Sequence, residues 1–302
     1  MLLDFSNHLL LPLLFSVGLI AGTIDAIAGG GGMITLPLLL IIGVPPHVAL
    51  GTSKLQGAAG TFVATCSYYR HGLFSLKTIY KGLIFGFIGA VLGAIAGQTL
   101  SSDILKKIIP VLLVVILIYT IFSPKLGHID KKPRVNEFWF YVIFGFTMGF
   151  YDGFFGPGTG SLWVFALTFF LGYNFTKATA YAKVFNLKSN IIATVCFMIG
   201  GNINYSIALC MMAGQLIGGR LGAHLAIKRG AQIIRPIFIS IVSLTILSLA
   251  YKNYSGSFYL EKLINYTGMM PLILGLAIFV TALSLYAWKI ARTAVEPEAI
   301  QK

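Results

Sequence analysis

Eleven apolar runs follow one another along the chain, at about 9–28, 33–43, 55–69, 82–100, 108–122, 138–155, 161–172, 184–200, 206–226, 236–251 and 267–290. A helix crosses the hydrocarbon of a bilayer in about 20 residues. The 302 residues therefore hold roughly ten crossings joined by short loops, with no room for a soluble domain of useful size. The composition agrees: 57% of residues are hydrophobic and 10% charged, where soluble domains carry about 25% charge. This argues against soluble enzymes, nucleic-acid binders and disulfide-stapled secreted scaffolds. Residues 1–8 bear Asp4 and His8 but no Lys or Arg, so the first run is expected to be a retained span and not a signal peptide. Cys66, Cys196 and Cys210 lie in apolar runs without metal-type spacing and read as packing residues.

The runs are duplicated. Residues 18–30 (GLIAGTIDAIAGG) and 145–157 (GFTMGFYDGFFGP) align at an offset of 127, placing Gly18, Gly22, Asp25 and Gly29 on Gly145, Gly149, Asp152 and Gly156. Beyond a two-residue insertion the offset becomes 129, which sets Gly43 on Gly172, Ala49 on Ala178, Lys54 on Lys183, Gly89 on Gly218 and Gly93 on Gly222. Each copy holds five runs, an odd number, so the second is expected to enter the membrane from the opposite side. The net charge of +13 tests this, because Lys and Arg are retained in cytoplasmic loops. The loops 70–81, 123–136, 173–178 and 227–235 together with the C-terminus gather 14 of the 22 basic residues, and the opposite loops hold four. That places the N-terminus outside and the C-terminus in the cytoplasm. It also leaves Lys54, Lys183, Lys188 and Arg220 at or inside the membrane. The expected fold is an all-α polytopic membrane protein of two inverted five-segment repeats. Their first hairpins are glycine-broken or re-entrant. Repeat 1 covers 1–125, a cytoplasmic linker 126–137, repeat 2 138–265, and a C-terminal transmembrane helix with its tail 266–302.

The breaks are the most informative stretches. Asp25 precedes Gly29, Gly30, Gly31 and Gly32; in the second copy Asp152 precedes Gly156, Pro157, Gly158, Thr159 and Gly160. Unwound backbone at membrane depth survives only where protein or a wet cavity satisfies its polar groups. Helices restarting near Met33 and Ser161 would aim N–H groups and the positive end of the helix dipole at a shared site for an anion. The competing reading of the glycines is close helix crossing. Lys54 and Lys183 would add positive charge, with hydrogen bonds from Thr52, Gln56, Asn186, Asn190 and Tyr181. Asp25 and Asp152 admit three roles: a proton-titrating pair, helix caps of the broken segments, or a structural ion pair with Lys54 or Lys183. Arg220 and Gln215 read as structural. The series Gly82, Gly86, Gly89, Gly93, Gly97 and its mirror Gly214, Gly218, Gly222 reads as close helix packing. The glycine runs lack the Lys-Ser/Thr ending of a nucleotide-binding loop. The five histidines are scattered, and no nucleophile–base cluster is present. No cofactor or metal and no enzymatic activity are expected.

The stretches Ala21–Gly32 followed by Pro37, Gly43–Lys54, and Gly149–Gly160 together resemble the TauE/SafE family, also called the toluene-sulfonate uptake permeases. The likeness extends over about residues 8–252. The Asp-bearing glycine motif and the G-P-G-T-G sequence look like the uncharacterised branch of that family. The resemblance implies a secondary transporter of the bacterial cytoplasmic membrane, moving sulfite, thiosulfate, a small sulfonate or an organic acid by alternating access, with proton coupling as an option. An anion channel, and further off a membrane-embedded accessory protein, are the alternatives. The expected partners are a small anionic substrate and the lipid bilayer, not nucleic acid. A homo-oligomer stays open.

Overall fold

The computed structural model describes residues 10–122 and 129–229. The apolar runs 236–251 and 267–290, and with them the expected C-terminal helix and its expected cytoplasmic tail, lie outside the described residues. Within them the chain is helical: α1 Leu10–Ala28, α2 Gly32–Ile41, α3 Pro46–Arg70, α4 Leu76–Thr99, α5 Ser102–Phe122, α6 Glu137–Phe154, α7 Thr159–Leu171, α8 Phe175–Ile199 and α9 Tyr205–Arg229. Apolar side chains surround these helices, and their backbone groups are satisfied internally, as lipid requires. α1, α4, α8 and α9 are long and apolar enough to cross a membrane. At 1.5 Å per residue, α2 and α7 reach only about 15 and 20 Å, half to two-thirds of the hydrocarbon.

Hydropathy places α3 and α8 at 55–69 and 184–200, yet each begins nine residues earlier, at Pro46 and Phe175. Their first halves carry polar side chains that lower the local hydropathy. Thr52, Lys54, Gln56, Thr179, Lys183 and Asn186 are all buried. Pro46 opens α3 at a position where its missing N–H costs nothing. Asn174 caps α8 by accepting the Lys177 N–H.

Two interfaces without side-chain bulk organise the bundle: α1 packs along α9, and α6 along α4. A Cβ on Gly89 would meet the Phe146 carbonyl, and one on Gly93 the Phe150 carbonyl. On the other interface Gly218 faces Leu19 and Gly222 faces Thr23 in the same way. These contacts correspond at the offsets of 127 and 129. Close crossing of this kind lets backbones approach and is a common means of packing in membranes. The core divides accordingly. One apolar cluster is built mainly from α1, α2, α3, α5 and α9, with Ala94 of α4 and Ala180, Ala193 and Phe197 of α8. The other joins α4, α6, α7 and α8 and is anchored by Trp163 stacked on Phe185 at 4.1 Å. Each cluster thus includes a helix from the other half of the chain, α9 in the first and α4 in the second.

The linker is fastened to the α7–α8 turn. Lys131 N–H donates to Gly172 O (2.7 Å) and Arg134 N–H to Phe170 O (2.8 Å). Asp130 accepts from the Asn174 N–H (2.7 Å) and pairs with Lys177 (2.9 Å). These contacts hold the Asp130 carboxyl below the usual carboxylate range, chiefly through the Asn174 N–H and next through Lys177.

Candidate functional site

α1 and α6 both end where glycine takes a positive φ, Gly29 at 73° and, one residue past the α6 C-cap, Gly156 at 94°. A side chain is strained in that region, so these positions turn the chain sharply at its centre. The two breaks touch. Gly29 lies against the backbone of Gly160 so closely that a Cβ on either would overlap the other's Cα. Tyr151 closes the second break by donating to Pro157 O at 2.7 Å.

Four ionisable side chains meet at this junction as two crossed pairs. Lys54 of α3 donates to Asp152 of α6 at 2.7 Å, and Lys183 of α8 donates to Asp25 of α1 at 2.9 Å. Each lysine therefore binds the aspartate of the opposite half. Lys54 also donates to the main-chain carbonyl of Asp152. Burial is deep: side-chain exposure is 5% and 3% for the first pair, and 1% and 17% for the second. Charges removed from water at such depth persist only when paired and hydrogen-bonded.

The aspartates are not held alike. Asp25 Oδ1 accepts the Gly31 N–H at 3.2 Å, so its carboxylate caps the start of α2. Asp152 Oδ2 has no hydrogen-bond partner among the described residues. The N–H group expected to face a ligand at the first break is therefore occupied by the protein's own carboxylate. Both restarts also begin one to two residues early, at Gly32 and Thr159, because the glycines themselves enter the helical turn.

A polar cavity lies between the pairs. Asp25, Gly29, Gly31, Gly32, Lys54, Gln56, Asp152, Gly156 and Asn186 line it, together with Ser53, Gly57, Phe155, Pro157, Asn190 and Gln215. Its volume is about 40 Å³, in the measure by which one water needs roughly 10–15 Å³. That is room for a few waters or one small oxyanion. Behind one wall runs a neutral relay. Gln215 donates to Gln56 (2.6 Å), and Gln56 donates to Thr35 (3.1 Å) and to the Ser53 carbonyl (3.1 Å).

Other predicted site residues lie near the cavity without lining it. Thr52 is buried and accepts the Asn204 N–H at 3.0 Å, fixing the α8–α9 turn. Thr159 donates to Gly156 O at 2.6 Å and stiffens the second break. Gly158 adopts φ 81° beside Ile116, and Gly30 is buried in the first break. Lys183 reaches the cavity only through Asp25. Tyr181 instead accepts the Ser75 N–H at 3.2 Å. Arg220 is exposed on the outer face of α9, apart from Gln215. Gln215 is the cavity residue that sequence reasoning set aside. Its signal was the offset of 129, which maps it onto Gly86 at the matching helix crossing.

A family model described as Sulfite exporter TauE/SafE matches residues 14–249. A protein of Haemophilus influenzae named "Probable membrane transporter protein" is 42% identical over 230 residues, covering 76% of this chain and 90% of its own length. The "Probable membrane transporter protein YfcA" of Escherichia coli K12 is 37% identical over 263 residues, covering 87% and 96%. A third relative, "Probable membrane transporter protein ORF9" of a Sinorhizobium species, is 42% identical over 243 residues, covering 80% and 92%. No solved structure matches the chain.

Proposed function

The chain belongs to the TauE/SafE sulfite-exporter family, and on that premise we propose that it is a secondary transporter carrying a small anion across the bacterial cytoplasmic membrane by alternating access. The observation that carries this reading is the crossed pairing of Lys54 with Asp152 and Lys183 with Asp25 around a cavity of oxyanion size. In the resting site the aspartates stand in for the substrate's negative charge. An entering anion competes for Lys54 and Lys183, loosens the bonds that tie the halves together, and so lowers the cost of moving one half against the other. Gln56 and Asn186, with the glycine backbone of the two breaks, would hold its oxygens.

We read the halves as an inverted pair related by a two-fold axis in the membrane plane. Three observations support this. The glycine contacts correspond across the offsets, the ion pairs cross, and the basic residues sort into loops of one side. The N-terminus then lies outside. Candidate substrates are sulfite, thiosulfate, small sulfonates and organic acids.

A thermal-stability screen of the purified protein against these anions tests the function. A substrate at 100 times its Kd stabilises the native state by about 2.7 kcal/mol through mass action. A melting temperature raised by at least one of them supports the reading. Indifference to all of them, alongside stabilisation by a small cation or a neutral solute, would replace it.

A further inference from the structure

Five charged side chains lie inside the bundle among the described residues: Lys54, Lys183 and Lys188 against Asp25 and Asp152. Four of them cancel in the crossed pairs. The fifth, Lys188, projects from α8 toward the α4–α6 crossing. Its ammonium nitrogen is buried and has no hydrogen-bond partner among the described residues. It lies against Gly86, where a Cβ would overlap it, and 6.0 Å from the Phe185 ring centroid. Nothing of opposite charge is contributed by the neighbouring stretch of α4, which runs Gly82 to Ala90 without an ionisable residue. On α6 the ionisable groups near this crossing are Tyr141, Tyr151 and Asp152; Asp152 Oδ1 is taken by Lys54, and its Oδ2 makes no hydrogen bond to Lys188. By offset, Lys188 maps onto Ala59, so the first half has no equivalent cation.

Lys188 nonetheless stands close behind the cavity. Gly86 packs on Gly149, and Asp152, a cavity residue, follows three residues later along α6, a rise of about 4.5 Å. A charge at that range acts strongly through a low-dielectric interior, without contact. Charge far from water is stable only when compensated. With Lys188 protonated, the described part of the interior carries one positive charge in excess, and one negative charge arriving in the cavity balances it.

We propose that Lys188 sets the charge of the substrate, making the cavity a site for monoanions such as sulfonates, carboxylates or hydrogensulfite, in preference to dianions of the same shape. This rests on the transport reading above and narrows it. Lys188 touches no substrate atom; it is a specificity-determining residue acting through its field. The same arithmetic makes a second statement. Replacing Asp25 by Asn, which keeps an acceptor for Gly31, raises the excess to two and shifts preference to dianions.

The test compares methanesulfonate with sulfate, two tetrahedral anions that differ by one charge, in binding to the purified full chain and in counterflow through proteoliposomes. Wild type is expected to favour methanesulfonate at least tenfold. Lys188→Gln and Lys188→Met are expected to weaken methanesulfonate at least tenfold and sulfate by still more, raising the ratio of the two, and Asp25→Asn to shift the ratio toward sulfate at least tenfold. A purely structural Lys188 would alter neither ratio. The proposal is overturned by equal selectivity in wild type and Lys188→Gln, or by a wild-type preference for sulfate. Failure of the transport reading is separately visible, as a wild-type protein that exchanges neither these anions nor sulfite.

Discussion

Asn190 donates a hydrogen bond to the Thr61 hydroxyl across 3.3 Å, and these positions are separated by 129 residues, the offset that sets Lys54 on Lys183. A residue in contact with its own counterpart lies on the axis relating the proposed halves. In the proposed two-fold arrangement the crossed ion pairs flank that axis, one on each side. Binding at one point can thereby act on both halves, as a carrier requires.

The pairs differ from surface ion pairs in what their loss costs. Removing one partner of a buried pair leaves an uncompensated charge and costs about 3–5 kcal/mol. Asp152→Asn is therefore expected to lower the melting temperature by several degrees in detergent, and Lys54→Met with Asp152→Leu to recover most of it. Asp103→Asn, which breaks the exposed Asp103–Lys106 contact, is expected to leave the melting temperature unchanged. Equal effects of Asp152→Asn and Asp103→Asn would contradict the pairing.

The glycine crossings predict paired outcomes. Gly93→Ala and Gly222→Ala each drive a methyl into a backbone carbonyl, of Phe150 and Thr23 respectively. Overpacking of this kind costs about 1–3 kcal/mol. The two variants should lose similar stability by thermal unfolding. Gly57→Ala, whose nearest neighbour would be 3.7 Å away, should keep the wild-type melting temperature while its methyl narrows the cavity and weakens anion binding.

The linker clasp predicts a pH response. The Asp130 carboxyl titrates below its ordinary value of 3.8, so its contribution to holding the turn is complete above that value and fades as pH falls through the lowered folded value. The protection of the Asn174 amide, measured against its intrinsic exchange rate at each pH, should fall on acidification only beyond that point. In Asp130→Asn the amide should exchange faster at neutral pH, and its protection should no longer depend on the state of residue 130. Unchanged protection in Asp130→Asn would show that the clasp contributes nothing.

Much of this was legible in the sequence, for identifiable reasons. Apolar runs report lipid-facing helices directly, so α1, α4, α6 and α9 fall within a few residues of the runs, apart from the six-residue earlier start of α4. The first halves of α3 and α8 escape the same reading. Thr52, Lys54, Thr179 and Lys183 are buried there, ahead of the apolar runs 55–69 and 184–200, and hydropathy scores them as loop. Repeat alignment marked both lysines and both aspartates, but which lysine meets which aspartate depends on how the halves interlock. Capping of the broken segment was among the roles open to Asp25 from sequence; that it takes the Gly31 N–H in particular is set by the turn at Gly29. Lys188 stood out as an intramembrane charge; that its ammonium has no hydrogen-bond partner among the described residues depends on the packing of α4 on α6.

The most direct test of anion carriage at the crossed pairs is counterflow of labelled sulfite, thiosulfate and methanesulfonate in proteoliposomes, for wild type, Lys54→Ala and Lys183→Ala. Wild type is predicted to exchange at least one of these anions, with saturation. Both variants are predicted to lose at least tenfold in rate while remaining monodisperse. Undiminished exchange in both variants would contradict the account.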